Sequence, residues 1–228
     1  MNHFSNSIRP TRAIFPGLLV LWFLGGAFAL ASKTQAPLTS PLRWGEQAPN
    51  LHLQASNEGK RSKNPLRNSK NPALLVLVFG DIACPAYQLY LPRIVGLREK
   101  IAELKGEILW IYPHRLDSSL SPYPGAKVYK DFLGQSMGAY RITRLPTVIV
   151  IQKDLDQPKS PAPRSRKIRR VPWSVRYVGA VDQDPEGKID SGIRKDLVEA
   201  LLDLSQSPYV RIPATRTHGC PYPVPPRP

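Results

Sequence analysis

The stretch that most constrains this chain is Ala73 to Pro92, ALLVLVFGDIACPAYQLYLP. Its apolar run, Ala73 to Phe79, stands between the breakers Asn71-Pro72 and Gly80-Asp81. An unbroken apolar run of that length between turn formers is the pattern of a strand covered on both faces, so it predicts a central strand. Pro85 suits the first position of a helix, because the amide it lacks would have no intrahelical partner there, and Cys84 therefore falls at or beside the N-cap. Orphan amides and the positive end of the helix dipole favour thiolate over thiol, and thiolate is the species that attacks disulfides and peroxides. A second reading stays open: free cysteine is among the most buried residue types, and a small apolar filler after a core strand looks the same locally.

Beyond this stretch, Leu89, Ile94, Leu97, Ile101 and Leu104 recur at roughly helical spacing. They predict one helix from Pro85 to about Lys105, kinked at Pro92 and ended by Gly106. Ile108 to Tyr112 reads as a second core strand, Pro113 to Gly125 as a loop, and Ala126 to Tyr140 as a helix. Alternating strands and helices predict an α/β fold with a parallel pair joined by a right-handed crossover. Thr147 to Ile151 and Trp173 to Val181 read as paired strands, although Leu155 to Pro172 is long for a hairpin connection. Ser191 to Gln206 places Ile193, Leu197, Leu201 and Leu204 on one stripe and predicts a final helix laid on the sheet.

The chain has 228 residues, which fits one domain with extensions. Arg9 and Arg12 precede an uncharged apolar run from Ala13 to Ala31, closed by Ala29-Leu30-Ala31 and the polar Ser32. That is the layout of a secretory signal, and the run is also nearly long enough to be an uncleaved membrane anchor. Either reading puts the domain outside the cytoplasm, periplasmic or secreted or anchored. Pro16, Gly17, Gly25, Gly26 and the lack of a polar face argue against a buried helix. The predicted organisation is a signal or anchor over 1–31, a tether over 32–44, a domain over 45–206 and a proline-rich tail without periodicity over 207–228. Within the domain, Leu51 to Leu53 reads as a short strand and Glu58 to Lys70 as a polar, basic loop.

In order and spacing these segments resemble the thioredoxin-like superfamily, in its redoxin branch. Strand, turn, Cys84-Pro85 and helix are similar to its active-site corner. Gly45 to Leu53 (GEQAPNLHL) resembles the opening strand of redoxins, Tyr140 to Ile151 (YRITRLPTVIVI) the cis-proline loop and strand, and Val175 to Val181 (VRYVGAV) the strand after it. The resemblance implies a central mixed β-sheet flanked by helices, in an exported thiol-disulfide oxidoreductase with Cys84 as attacking thiolate. It also implies that Pro146 is cis and packed beside Cys84, where Leu145 and Thr147 align an extended substrate. A proline opening a strand is ordinarily only a boundary marker.

A final helix followed by a Thr-x-x-Gly-Cys-like tail is familiar among redoxin-like proteins, so the resemblance further implies that Cys220, in Thr217-His218-Gly219-Cys220, is the partner of Cys84 and its resolving thiol. An even cysteine count in an oxidising compartment fits a disulfide. The tail supplies about fourteen residues after Gln206, ample reach at about 3.3 Å each. Staple, catalytic bond and bond between two chains stay open. Catalysis requires Cys84 to face the surface.

Two departures shape the chemistry. Tyr87 stands where thioredoxins carry a second cysteine, so no thiol in this turn can resolve a mixed disulfide. Asp81 and Pro146 stand where peroxiredoxins place a threonine and an arginine that orient peroxide, which disfavours a thiol peroxidase, although Arg144 lies nearby. A non-catalytic binding or assembly protein stapled by Cys84 and Cys220 is the third alternative. No metal or other cofactor is expected. Gln88 occupies the place of the second cysteine of copper-chaperone relatives, His114 and His218 are isolated loop histidines, and no phosphate loop or catalytic serine or carboxylate pair is present. The expected partner is a protein or small-molecule thiol or disulfide. The formal net charge of +15 is concentrated in part over 155–172, with Lys159, Arg164, Arg166, Lys167, Arg169 and Arg170. That stretch reads either as contact with an anionic membrane surface or as a solvated loop. Nucleic acid is not expected, because no aromatic residues interleave the charges.

Overall fold

A computed structural model of the chain describes residues 40–55, 62–67, 72–113, 121–131, 133–154, 172–186 and 192–223. The apolar N-terminal segment, His114 and the basic stretch up to residue 171 lie outside the described residues. A short pair, β1 (Leu53–Ala55) and β2 (Ser62–Lys63), precedes the apolar run, which forms β3 (Leu74–Phe79). Helices α1 (Pro85–Gly96) and α2 (Arg98–Glu103) lead into β4 (Gly106–Pro113). Next come β5 (Lys127–Asp131), α3 (Gln135–Ala139), β6 (Arg144–Leu145), β7 (Thr147–Lys153) and β8 (Trp173–Gly179). The last elements are α4 (Asp196–Gln206) and the two-residue strand β9 (Cys220–Pro221).

Seven strands form one sheet in the order β2-β1-β5-β4-β3-β7-β8. The β3, β4 and β5 strands are mutually parallel neighbours, while β7 and β8 run antiparallel on the other side. No residue of β3 is more than 3% exposed, as its unbroken apolar sequence requires. Alternate side chains serve opposite faces. Leu74, Val76 and Val78 pack with Tyr87, Tyr90, Ile94, Ile101, Leu197 and Leu201 from α1, α2 and α4. Leu75, Leu77 and Phe79 pack with Met137 of α3 and with Tyr140, Leu51 and Trp173. A mixed sheet between helices, with a parallel β3-helix-β4 unit and a cis Leu145-Pro146 bond before β7, is the thioredoxin-like fold that the resemblance implied.

Several sequence expectations are corrected. The helix expected over 126–140 is instead β5 followed by the five-residue α3. Its Val128, Tyr129, Met137 and Tyr140 mimic helical spacing, but the backbone of Lys127–Asp131 is taken by a parallel ladder to β4 and an antiparallel one to β1. The helix after Cys84 passes through Pro92 and breaks at Leu97 rather than at the proline. Lys105, not Gly106, takes the left-handed turn (φ 52°), while Gly106 opens β4 against Leu74 and Ile101, where a β-carbon would not fit. The final helix starts at Asp196, so Ile193 precedes it. The loop expected over 58–70 contains β2 and a 3₁₀ turn at Pro65–Arg67.

The tail is not featureless. It lies along the outer edge of β8, where Val178 bridges Ala214, and the opening segment covers another part of that edge through Gln47 and Ser174. Both block an edge that would otherwise offer free amides and carbonyls. No helix among the described residues is long and apolar enough to cross a membrane.

Beneath the start of α1, the hydroxyls of Tyr87 and Tyr112 share a buried hydrogen bond of 2.7 Å, and Trp110 meets the Tyr87 ring edge-on at 6.5 Å. Burial pushes both phenols above their ordinary pKa, so each is a neutral hydroxyl. Replacing one tyrosine by phenylalanine leaves the other phenol stranded and is expected to cost about 1–3 kcal/mol, with much of the loss recovered in the double variant. Urea unfolding of the four proteins measures this coupling, and strictly additive costs would refute it.

Candidate functional site

The site grows from the end of β3. Gly80 leaves the strand with its amide on the Ile111 carbonyl (3.1 Å), and the Tyr87 ring fills the space a β-carbon would need. Asp81 then organises the turn: its carboxylate accepts the Ala83 amide at 2.8 Å, and its carbonyl accepts the Cys84 amide at 2.9 Å. Cys84 is the N-cap of α1 and Pro85 is in its first turn, as the sequence predicts. The Cys84 carbonyl accepts the Gln88 amide at 3.2 Å, and the Gln88 side chain returns to the Ile82 carbonyl at 2.7 Å. Asp81 is thus committed to shaping this turn, at the place where peroxiredoxins put a hydroxyl.

The second component is β6 and its cis-proline. Thr147 hydroxyl donates to the Arg144 carbonyl at 2.6 Å, closing a tight turn around Pro146. Leu145 and Thr147 are both buried. The Leu145 carbonyl oxygen lies 3.4 Å from Cys84 Sγ. An oxidised sulfur has no proton to donate, so this is a contact in the disulfide state and a ready acceptor for the reduced thiol.

The third component is the tail, which is held in two places. At the first, the Val178 amide donates to the Pro213 carbonyl (2.9 Å) and the Thr215 amide to the Val178 carbonyl (3.0 Å). The Thr215 hydroxyl accepts the Ala180 amide at 3.1 Å and meets the Tyr177 hydroxyl at 2.7 Å, and Tyr177 donates to the Ala180 carbonyl at 2.6 Å. Since Tyr177 has spent its one proton, Thr215 is the donor between them. At the second place, β9 pairs antiparallel with β6, matching Leu145 with Cys220 and Arg144 with Pro221. The Tyr222 amide donates to the Thr143 carbonyl at 2.8 Å, and the Arg144 guanidinium to the Gly219 carbonyl at 3.0 Å.

Cys84 and Cys220 are joined by a disulfide across a sequence separation of 136. Cys84, Cys220, Leu145, Pro146 and Thr147 therefore meet at one corner. Cys84 does not face the surface as expected: it is 3% exposed and packs in the core cluster with Tyr87 and Tyr90, because Cys220 and the tail cover it. Cys220 itself is half-buried. Arg144, the residue nearest to a peroxide-orienting arginine in sequence, spends its guanidinium on the tail. His218 meets the Gln183 side chain at 3.2 Å. No cluster of three or more histidine, cysteine or acidic side chains that could hold a metal occurs among the described residues.

Sequence reasoning missed the Thr215 clamp and the role of Gly219. The glycine before Cys220 was the available signal. Its φ is +131°, and a β-carbon there would run into the Leu145 carbonyl oxygen. Gly219→Ala is therefore expected to strain the oxidised form by about 1–3 kcal/mol, shifting the thiol–disulfide equilibrium about tenfold toward the dithiol. A glutathione titration reads the shift, and urea unfolding of the reduced protein should be unchanged. A loss of equal size in both states would contradict this account.

No protein-family profile matches the chain. No curated protein matches it either. Among solved structures, a hypothetical protein of Sinorhizobium meliloti 1021 is 15% identical, with TM-score 0.60, over 80% of this chain and 94% of that one. An uncharacterised conserved protein of Geobacillus kaustophilus is 18% identical, with TM-score 0.58, over 78% of this chain and 90% of that one. The thioredoxin domain of a thiol-disulfide oxidoreductase from Bacteroides vulgatus matches at TM-score 0.40 and 13% identity, over 49% of this chain and 82% of that one. The two higher-scoring likenesses span almost the whole of the other proteins and are likenesses of fold.

Proposed function

We propose that this protein is an exported thiol-disulfide oxidoreductase in which Cys84 attacks and Cys220 resolves. The observation that carries the reading is the disulfide between an N-capping cysteine and a tail cysteine whose strand is paired with Leu145, next to cis-Pro146. In the reducing direction, Cys84 thiolate attacks one sulfur of a substrate disulfide and expels the other as thiolate. Cys220 thiolate then attacks Cys84 Sγ, releasing the substrate dithiol and leaving the Cys84–Cys220 bond. The two electrons given to the substrate are restored by two external thiols or one dithiol, which leave as a disulfide. Helix amides at α1 stabilise the Cys84 thiolate, which makes it both a ready nucleophile and a good leaving group. Leu145 and Thr147 would align the substrate chain where β9 now lies. An extracytoplasmic location belongs to the reading, since the 1–31 segment has the layout of a signal or anchor and disulfides persist in oxidising compartments.

One observation favours a competing assignment. Cys84 is 3% exposed under a tail clamped at Thr215, as a static staple would be. Alkylation separates the two readings: in Cys220→Ser, Cys84 is expected to titrate with an apparent pKa below the free value of about 8.5. In the intact protein, glutathione is expected to open the bond at a potential above about −300 mV. A normal or raised pKa, or a bond that glutathione cannot open, would overturn the oxidoreductase reading in favour of the staple.

Peroxide chemistry has weaker support, with Asp81 committed to the turn and Arg144 to the tail. Sulfenic acid at Cys84 is expected to form slowly when reduced protein meets hydrogen peroxide. Rapid stoichiometric oxidation would promote a peroxidase instead.

A further inference from the structure

We infer that the external thiol which reopens the Cys84–Cys220 bond attacks Cys220, not Cys84, so that the incoming group is carried on the tail. The inference rests on the oxidoreductase reading and adds to it the sulfur that is struck. Access and leaving-group chemistry both point this way. Displacement at sulfur requires the incoming thiolate to reach that sulfur in line with the bond being broken. Cys84 is 3% exposed and packs in the core cluster with Tyr87 and Tyr90, while Cys220 is half-buried on a two-residue strand whose next residue, Pro221, is exposed. Of the two cysteines, Cys220 is the more exposed.

The leaving group then decides the rate. Attack on Cys220 expels Cys84 thiolate at the N-terminus of a twelve-residue helix, the end whose dipole favours negative charge. Attack on Cys84 would expel Cys220 thiolate, which sits between Gly219 and Pro221 with no helix behind it. A lower-pKa thiol leaves faster, so the two routes differ in the same direction as their access.

The step balances. Thiolate RS⁻ forms a bond to Cys220 Sγ, the Cys84–Cys220 bond breaks, and its electron pair leaves on Cys84 as thiolate. A second thiol of RSH type, or the second cysteine of a dithiol reductant, then frees Cys220 and becomes the disulfide. The tail is suited to carrying the adduct. Its upstream clamp at Thr215 is separate from β9, so Cys220 can swing out on the intervening residues while Pro213 and Thr215 stay on β8. Cys84 is left reduced and uncovered, ready for the substrate disulfide.

The test uses the intact oxidised protein and reduced glutathione as the probe. Aliquots are acid-quenched from the earliest times, free thiols are alkylated, and peptides are mapped by mass spectrometry. Expected is glutathione on the Cys220 peptide and alkylation on the Cys84 peptide, in excess on the order of tenfold over the reverse pattern. An equal distribution at the earliest quench, or glutathione mainly on Cys84, would overturn the inference while leaving the oxidoreductase reading intact. A disulfide untouched at every glutathione concentration would overturn the oxidoreductase reading itself and the inference with it. A second measurement guards against later exchange between the sulfurs: Gly219→Ala, which loosens β9 without altering α1, is expected to accelerate opening and keep the adduct on Cys220. Transfer of the adduct to Cys84 in that variant would count against the assignment.

Discussion

Strand β3 has no exposed face, and the remainder of the site follows from that. Its amides and carbonyls cannot turn to water, so neighbours must pair them on both sides, and an unpaired buried backbone group costs as much as a lost hydrogen bond. The β4 and β7 strands supply those partners along the full length of β3. The register that satisfies them matches Phe79 with Thr147. The residues just before Thr147 must then lie level with the turn just after Phe79. This is why Pro146 and Leu145 arrive beside Cys84, and why the Leu145 carbonyl sits 3.4 Å from its sulfur. A slip by one residue would turn Val148 and Val150 from the face covered by α1 and α4 to the face covered by α3 and would break the same contact.

What the sequence made legible divides along the same line. Cys84, Pro85 and β3 could be read because their signals are local: an apolar run, a turn, and a proline whose missing amide is harmless at a helix start. The cis bond at Pro146 and the Cys84–Cys220 pairing were reached through resemblance, since both depend on segments far apart in the chain. β5 was misread because Val128, Tyr129, Met137 and Tyr140 mimic a helical stripe, and only the ladders to β4 and β1 make Lys127–Asp131 a strand. The tail escaped for a related reason. Its contacts to β8 and β6 are made largely by backbone groups, which carry no side-chain periodicity, and its prolines hide what is left.

The acidic side chains show how the surrounding loops are fastened. Arg93 of α1 holds Asp182 at 2.8 Å and Asp184 at 3.0 Å, tying the segment after β8 to the helix that Cys84 caps. Arg141 holds Glu46 at 2.6 Å, and Arg176 holds Asp154 at 3.0 Å. These pairs are buried or half-buried and link segments distant in sequence, so losing one partner would leave the other charge poorly solvated.

The cover over Cys84 and the thiol proposed to resolve it are the same few residues, and the energetics allow both roles. A two-residue ladder is a weak hold by itself, since even an isolated hairpin is marginal in water. The covalent bond therefore decides whether β9 stays on β6. Once it opens, Cys220 does not leave the molecule's vicinity, because the Thr215 clamp on β8 does not depend on the disulfide. A thiol on so short a tether keeps an effective concentration on the order of millimolar near its target. In the proposed cycle the tail yields to a substrate chain at β6 and returns to close the bond. Without the clamp, Cys220 would be only another distant thiol. Without the disulfide, β9 would have little reason to stay on β6.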